Sequence, residues 1–173
     1  AAAKRARQLI DCKCRPMVEV DVITEKGFRG RGSAPTGSSV GMYESLVLRD
    51  NDPNEYGGKS VHKAVDIVNN VIAPAVIGMN VFDQKAIDEK MIEMDGTENK
   101  SKLGGNSIYS VSIAVFRAAA ASAGKELYEY IAGEKIKTVP VPSFNVINGG
   151  KNGNIVQPFN EFIVMPYKAK DIY

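Results

Sequence analysis

The chain has 173 residues, 44% of them apolar and 24% charged, enough for one globular domain with a real core, or for one domain and part of another. Its 22 basic and 20 acidic residues leave a formal charge of only +2, so no large basic field points to nucleic acid. No apolar run approaches the ~20 residues of a membrane span, and the basic start "AAAKRARQLIDCKC" has no apolar stretch of the kind a secretory signal needs.

In chain order, Lys4, Arg5 and Arg7 read as a solvated end. Cys12 and Cys14 are spaced C-x-C without a second pair, poor geometry for zinc, and read as free thiols of a reducing cytosol. The sequon at Asn99 is then expected to stay unglycosylated. The chain begins without Met, as a processed product or a piece of a longer protein would.

"MVEVDVIT" (17–24) alternates, with Val18, Val20 and Val22 on one face and Glu19 and Asp21 on the other, the pattern of a half-buried antiparallel strand. "EKG" supplies a turn into "FRGRGSA", a weaker strand loosened by its glycines. "SAPTGSSVG" (33–41) follows, and "MYESLVLRD" (42–50) reads as the third strand of a meander. Beyond the loop "NDPNEYGGK", Val61, Ala64, Val65, Val68, Val71 and Ile72 keep helical spacing, and Pro74 is expected to end the run. "DQKAIDEKMIEMDG" reads as a helix capped by Asp83 and stopped at Gly96. A third helix opens at Asn106 or Ser107, with the small face Val111, Ala114, Val115, Ala118 and Ala119, and "ELYEYIAG" adds a short amphipathic turn. Strands first and helices afterwards predict an α+β domain, a three-stranded antiparallel meander followed by a helical bundle, over 1–134. From 135 the Pro-x-Pro entry "TVPVPSFNVINGG" and the strand "FNEFIVMP" have no helical partners, so 135–173 read as the beginning of a second domain.

"GGKS" (57–60) lacks the earlier glycine of a phosphate loop, which is Pro53 here, and reads as a loop with Ser60 as a helix N-cap. His62, the one histidine, has no carboxylate or nucleophile at a telling spacing and reads as a helix-surface residue. Glu161 shares a strand face with Phe159, Ile163 and Met165, where a carboxylate has either an active-site role or a structural salt bridge. The hydroxyls of Thr36, Ser38 and Ser39, between Gly37 and Gly41, suit a cap, a phosphate or a hard cation, but residue types alone favour a plain connection.

Together "PMVEVDV", "APTGSSVGMYESLVLRD", "GGKSVHKAV", "IAPAVIGMNVFDQKAID", "IEMDGTENKSKLGGNSI", "VSIAV", "PVPSFNVINGG" and "EFIVMP" resemble the enolase family, in the family's order and over nearly the whole chain. The resemblance implies that 1–134 form the small N-terminal α+β domain and that 135–173 supply the first two strands of an incomplete (β/α)8-type barrel. It implies the glycolytic dehydration of 2-phosphoglycerate to phosphoenolpyruvate, in a cytoplasmic lyase using Mg²⁺. Thr36, Gly37, Ser38, Ser39 and Gly41 match the loop that closes over substrate, Ser39 matches a ligand of the second magnesium, and Glu161 matches a group handling the leaving hydroxyl.

The departures are specific. Thr36 replaces the family's serine and Val40 its threonine. Asn152 replaces a substrate-facing histidine and Asn160 a glutamine, and "CKCRPM" (12–17) replaces a pattern near the family's dimer contact. The family's base lysine and metal carboxylates lie on later barrel strands, so this chain alone is expected to be inactive. Two readings follow: part of an enolase whose catalysis resides in a longer parent, or an enolase-derived structural or interaction protein. In both, another chain or the missing barrel covers 139–165, and neither calls for nucleic acid or membrane.

Overall fold

A computed structural model of the protein describes residues 3–37, 40–150 and 158–169. The chain divides into two compact units, Ala1–Gly133 and Glu134–Tyr173.

The first unit is α+β. Strands β1 (Ala3–Ile10), β2 (Pro16–Ile23) and β3 (Arg29–Ala34) form an antiparallel sheet in the order β1-β2-β3, with Val20 opposite both Ala6 and Gly32. The meander therefore exists, but one strand upstream of its expected place. Met42–Asp50 is no strand: the Leu46 N–H donates to the Asn99 carbonyl (2.7 Å), the Gly105 N–H to the Leu46 carbonyl (2.7 Å), and Asn106 bonds both backbone groups of Leu48 (3.0 and 3.1 Å). Its polar backbone is satisfied by the entry to a helix, so it has no need of a sheet edge.

Val18, Val20 and Val22 are fully buried against a layer of helices. These are α1 (His62–Ile67), a π-helical turn (Val68–Ile72), α2 (Ala73–Val76), α3 (Gln84–Asp95), α4 (Gly105–Ser122) and α5 (Leu127–Ala132). Pro74 does not end the first of them. The Ala73 N–H reaches back five residues to the Val68 carbonyl, and this wider turn makes room for a ring that would clash with a regular α-turn. The Asp83 side chain caps α3 by accepting from the Ala86 N–H (3.1 Å), and Gly96 ends it in the left-handed conformation, both as the sequence predicts. On α4 the small face Val111, Ala114, Val115, Ala118 and Ala119 is wholly buried. Gly30 and Gly32 are what let it sit down on the sheet. A Cβ at Gly30 would collide with the backbone of Ala114 and Ala118, and one at Gly32 with that of Ser110 and Ala114.

The other sheet face carries charge but little water. Glu19 and Asp21 are only 6% and 8% exposed, covered by Arg7 from β1 and Arg31 from β3. Asp21 bonds Arg7 (2.7 Å), Arg29 (2.5 Å) and Arg31 (2.8 Å). Burial pushes its carboxyl up, but the Arg31 and Arg7 guanidiniums outweigh it and hold the pKa below its ordinary value. Arg7 is thus part of an ion-pair network and not of a solvated end.

In the second unit, β4 (Phe144–Asn148) and β5 (Glu161–Val164) pair antiparallel, with an irregularity between Asn145 and Ile147. Every residue of both strands is exposed.

Candidate functional site

The stretch that follows β3 is fastened at its base by two arginines. Arg15 leaves the β1–β2 turn beside the Asp11 carboxylate (3.5 Å) and donates to the carbonyls of Thr36 (2.6 Å) and Gly37 (3.0 Å). Arg49 donates to the Thr36 hydroxyl (3.0 Å), to the Pro16 carbonyl (2.7 Å) and to the Lys59 carbonyl. Burial, and then the nearby Arg15 charge, lower the pKa of Arg49, whose hydrogen bonds among the described residues go to carbonyls and a hydroxyl. Farther along, the Gly41 N–H donates to Glu44 (2.7 Å), while Val40, Met42 and Tyr43 stand in solvent at 82–97% exposure. Met42, Tyr43, Glu44 and Ser45 border an open cavity of about 620 Å³ whose far wall is Glu98, Asn99 and Lys100. Thr36 and Gly37 thus sit at the fastened base, and Gly41 lies just before the cavity's edge at Met42. Ser38 and Ser39 lie outside the described residues.

The far wall belongs to a loop built around one carboxylate. Asp95, 2% exposed, accepts from the Thr97 N–H (3.0 Å), the Thr97 hydroxyl and the Leu103 N–H (2.7 Å). Burial pushes it up, but those donors prevail and leave its pKa lowered. Sequence reading marks Gly96 as the end of α3 and passes over Asp95, because an aspartate in a last helical turn looks like any surface acid. The signal available is "DGT": an acid followed by a left-handed glycine and a hydroxyl that can turn back onto it.

At the start of α1 the cap is Asp50 and not Ser60. The Asp50 carboxylate accepts from the N–H groups of His62 (2.7 Å) and Lys63 (2.8 Å) across a dozen residues. Burial pushes Asp50 up, and these two N–H groups, with Ser60 and His62 behind them, bring it below its ordinary value. His62 is exposed as expected, yet it has a carboxylate partner: its Nε2 lies 2.8 Å from Glu55, because the left-handed Gly57 and Gly58 fold the chain back. That bond, more than any other contact, raises the His62 pKa. Asp50, Glu55 and His62 are the one trio of potential metal ligands gathered among the described residues. Both Asp50 oxygens already serve helix N–H groups, and Glu55 serves His62. Mg²⁺ prefers six oxygens, so the described residues do not assemble a magnesium site.

In the second unit Glu161 opens β5 opposite Asn148, and the Asn160 carbonyl accepts from the Gly149 N–H (3.0 Å). Glu161 is exposed, and so are Phe159, Ile163 and Met165, so this carboxylate faces none of the desolvation that alternation predicts for it. Asn152 lies outside the described residues. Thr36, Gly37 and Gly41 belong to the first unit, and Asn160 and Glu161 to the second.

Among the described residues, no helix is long and apolar enough to cross a membrane. The family model for the enolase N-terminal domain matches residues 3–131, from β1 through α5, and takes in the meander, the arginine-fastened segment and the Asp95 loop. Since that match covers most of the chain and coincides with its α+β unit, this protein belongs to the enolase family through an enolase N-terminal domain.

Proposed function

We propose that this chain is the loop-bearing N-terminal domain, with the opening barrel strands, of an enolase, the lyase that dehydrates 2-phosphoglycerate to phosphoenolpyruvate. The observation that carries the reading is the family match over 3–131 on a unit with a complete core of its own. Residues 1–134 are then the N-terminal domain and 135–173 the start of the barrel. A regular (β/α)8 barrel pairs parallel strands through helices, whereas β4 and β5 are antiparallel, so the proposal is for an opening hairpin and not a βα unit. Thr36, Gly37, Ser38, Ser39 and Gly41 form the substrate loop, with Ser39 on the second magnesium. Glu161, flanked by Asn160 and with Asn152 nearby in the family's arrangement, faces the leaving hydroxyl. Asn152 donates a hydrogen bond but carries no titrating proton. The setting is cytoplasmic, and Mg²⁺ when bound stabilises the enolised carboxylate.

The family's base lysine and metal carboxylates lie on later barrel strands, and the described residues assemble no magnesium site, so the isolated chain is expected to be inactive. Phosphoenolpyruvate formation by the isolated chain, with saturating 2-phosphoglycerate and Mg²⁺, is the test. No turnover is expected, and turnover would overturn the reading. β4 and β5 leave Phe144, Val146, Phe162 and Ile163 43–57% exposed, a surface that the rest of the barrel covers on this reading and that another chain would cover on the alternative of a non-catalytic interaction protein.

A further inference from the structure

Within the first unit, the backbone of residues 50–62 closes on itself. The Asp50 N–H donates to the Ser60 carbonyl (2.9 Å), the Asn51 N–H to the Gly58 carbonyl (3.1 Å) and the Gly58 N–H to the Glu55 carbonyl (3.0 Å). Four left-handed residues, Asn51, Tyr56, Gly57 and Gly58, bend the chain into this loop. The closure brings Asp50, Glu55 and His62 together, and one donor atom from each lies within 4.8 Å of the other two. Asp50 also holds the start of α1, but the proposed function gives Glu55 and His62 no task.

We propose that Asp50, Glu55 and His62 form a surface site for a borderline first-row dication of the Zn²⁺ and Ni²⁺ class. His62 Nε2 and Glu55 Oε1 are 2.8 Å apart. Two ligands each roughly 2.1 Å from one ion stand about 3.0 Å apart at a right angle, so the pair needs only a slight opening to admit it. The third ligand is held in place, because the Asp50 oxygens accept from the N–H groups of His62 (2.7 Å) and Lys63 (2.8 Å). Each of those oxygens keeps a second lone pair for the ion. Lys63 spends its ammonium on the Asp50 backbone carbonyl (3.1 Å). Water completes the shell, as in other sites with three protein ligands. The imidazole sets the selectivity: it suits Zn²⁺ and Ni²⁺, whereas Mg²⁺ demands oxygen ligands in a near-ideal octahedron. The ion takes the place of the proton between Nε2 and Oε1. That proton leaves to solvent from a charged ring, or the ring keeps its N–H at Nδ1, and no oxidation state changes.

The test titrates the full 173-residue chain, with both exposed cysteines alkylated, with Zn²⁺ and follows the imidazole by NMR. The chain has one histidine, so those signals belong to His62 alone. They should shift and saturate at one Zn²⁺ per chain, and excess Mg²⁺ should not reverse the shift. Affinities come from competition with a chromophoric chelator. Glu55→Gln and His62→Gln should each weaken binding about tenfold or more, since a lost ligand costs at least as much as a lost outer-shell partner. The two side chains are 41% and 53% exposed, so both variants should keep the thermal transition of the wild type. They serve better than Asp50→Asn, which also loosens the start of α1. Imidazole signals that stay still, an ion bridging two chains, displacement by Mg²⁺, or undiminished binding in either variant would overturn the proposal.

Discussion

Asp95 shows how one side chain can hold a loop that has little apolar surface of its own. It satisfies two backbone N–H groups and one hydroxyl from a site 2% exposed, so its loss strands donors as well as removing bonds. Asp95→Ala is expected to destabilise the first unit by about 3 kcal/mol, read as a lower urea midpoint at unchanged slope. The pH dependence has a definite sign. The folded pKa lies below the ordinary 3.8, so the stabilisation is complete above 3.8 and fades as pH falls through the lower folded value. Asp21 and Asp50 act in the same direction. The wild type should therefore lose stability steeply in acid below about pH 4, and Asp95→Asn should flatten part of that loss in urea midpoints taken across pH. His62 runs the other way: its raised pKa makes a small contribution, complete below 6.5 and lost as pH rises through the folded value.

At the level of elements, the seam between β3 and α4 governs the packing, and two glycines make it possible. Gly30→Ala puts a methyl group into the Ala114 and Ala118 backbone, which cannot move aside as a side chain can. A loss of about 3 kcal/mol is expected in thermal or urea unfolding, and a near-neutral result would mean that the helix sits farther from the sheet. In the sequence those glycines look like a loosening of the strand, because the small face of α4 that they match lies some 80 residues away. The rest of the element pattern was legible where local chemistry decides it. β2 shows in its alternation, and α3 in Asp83 and Gly96. β1 stayed hidden because its inward positions are Ala6, which is small, and Gln8, which accepts from the Val61 N–H (2.7 Å), so no apolar rhythm marks it. Met42–Asp50 carries a strand's composition but spends its hydrogen bonds on the start of α4 and on the loops before α1 and α4. Of the candidate site, the Thr36–Gly41 segment was legible through resemblance. Its fastening by Arg15 and Arg49 was not, since bonds between distant residues leave no local pattern.

For the molecule as a whole, the continuous core from Ala6 to Ala119 lies entirely within the first unit. Residues 1–133 expressed alone should unfold in one cooperative transition, within about 0.5 kcal/mol of the same transition in the full chain. Chemical-denaturation curves of the two proteins check this, and a markedly weaker truncated form would show that the core needs residues beyond 133. The second unit is a hairpin with exposed apolar strands, and an isolated hairpin is marginal in water. On the proposed function these residues serve as the front part of an enolase whose remaining barrel supplies the chemistry. The intact mass of the protein purified from its native source, with peptides of residues 1–173 identified within it, tests that claim most directly. A mass well above 18.7 kDa is the predicted result, and a native protein of 18.7 kDa would contradict it.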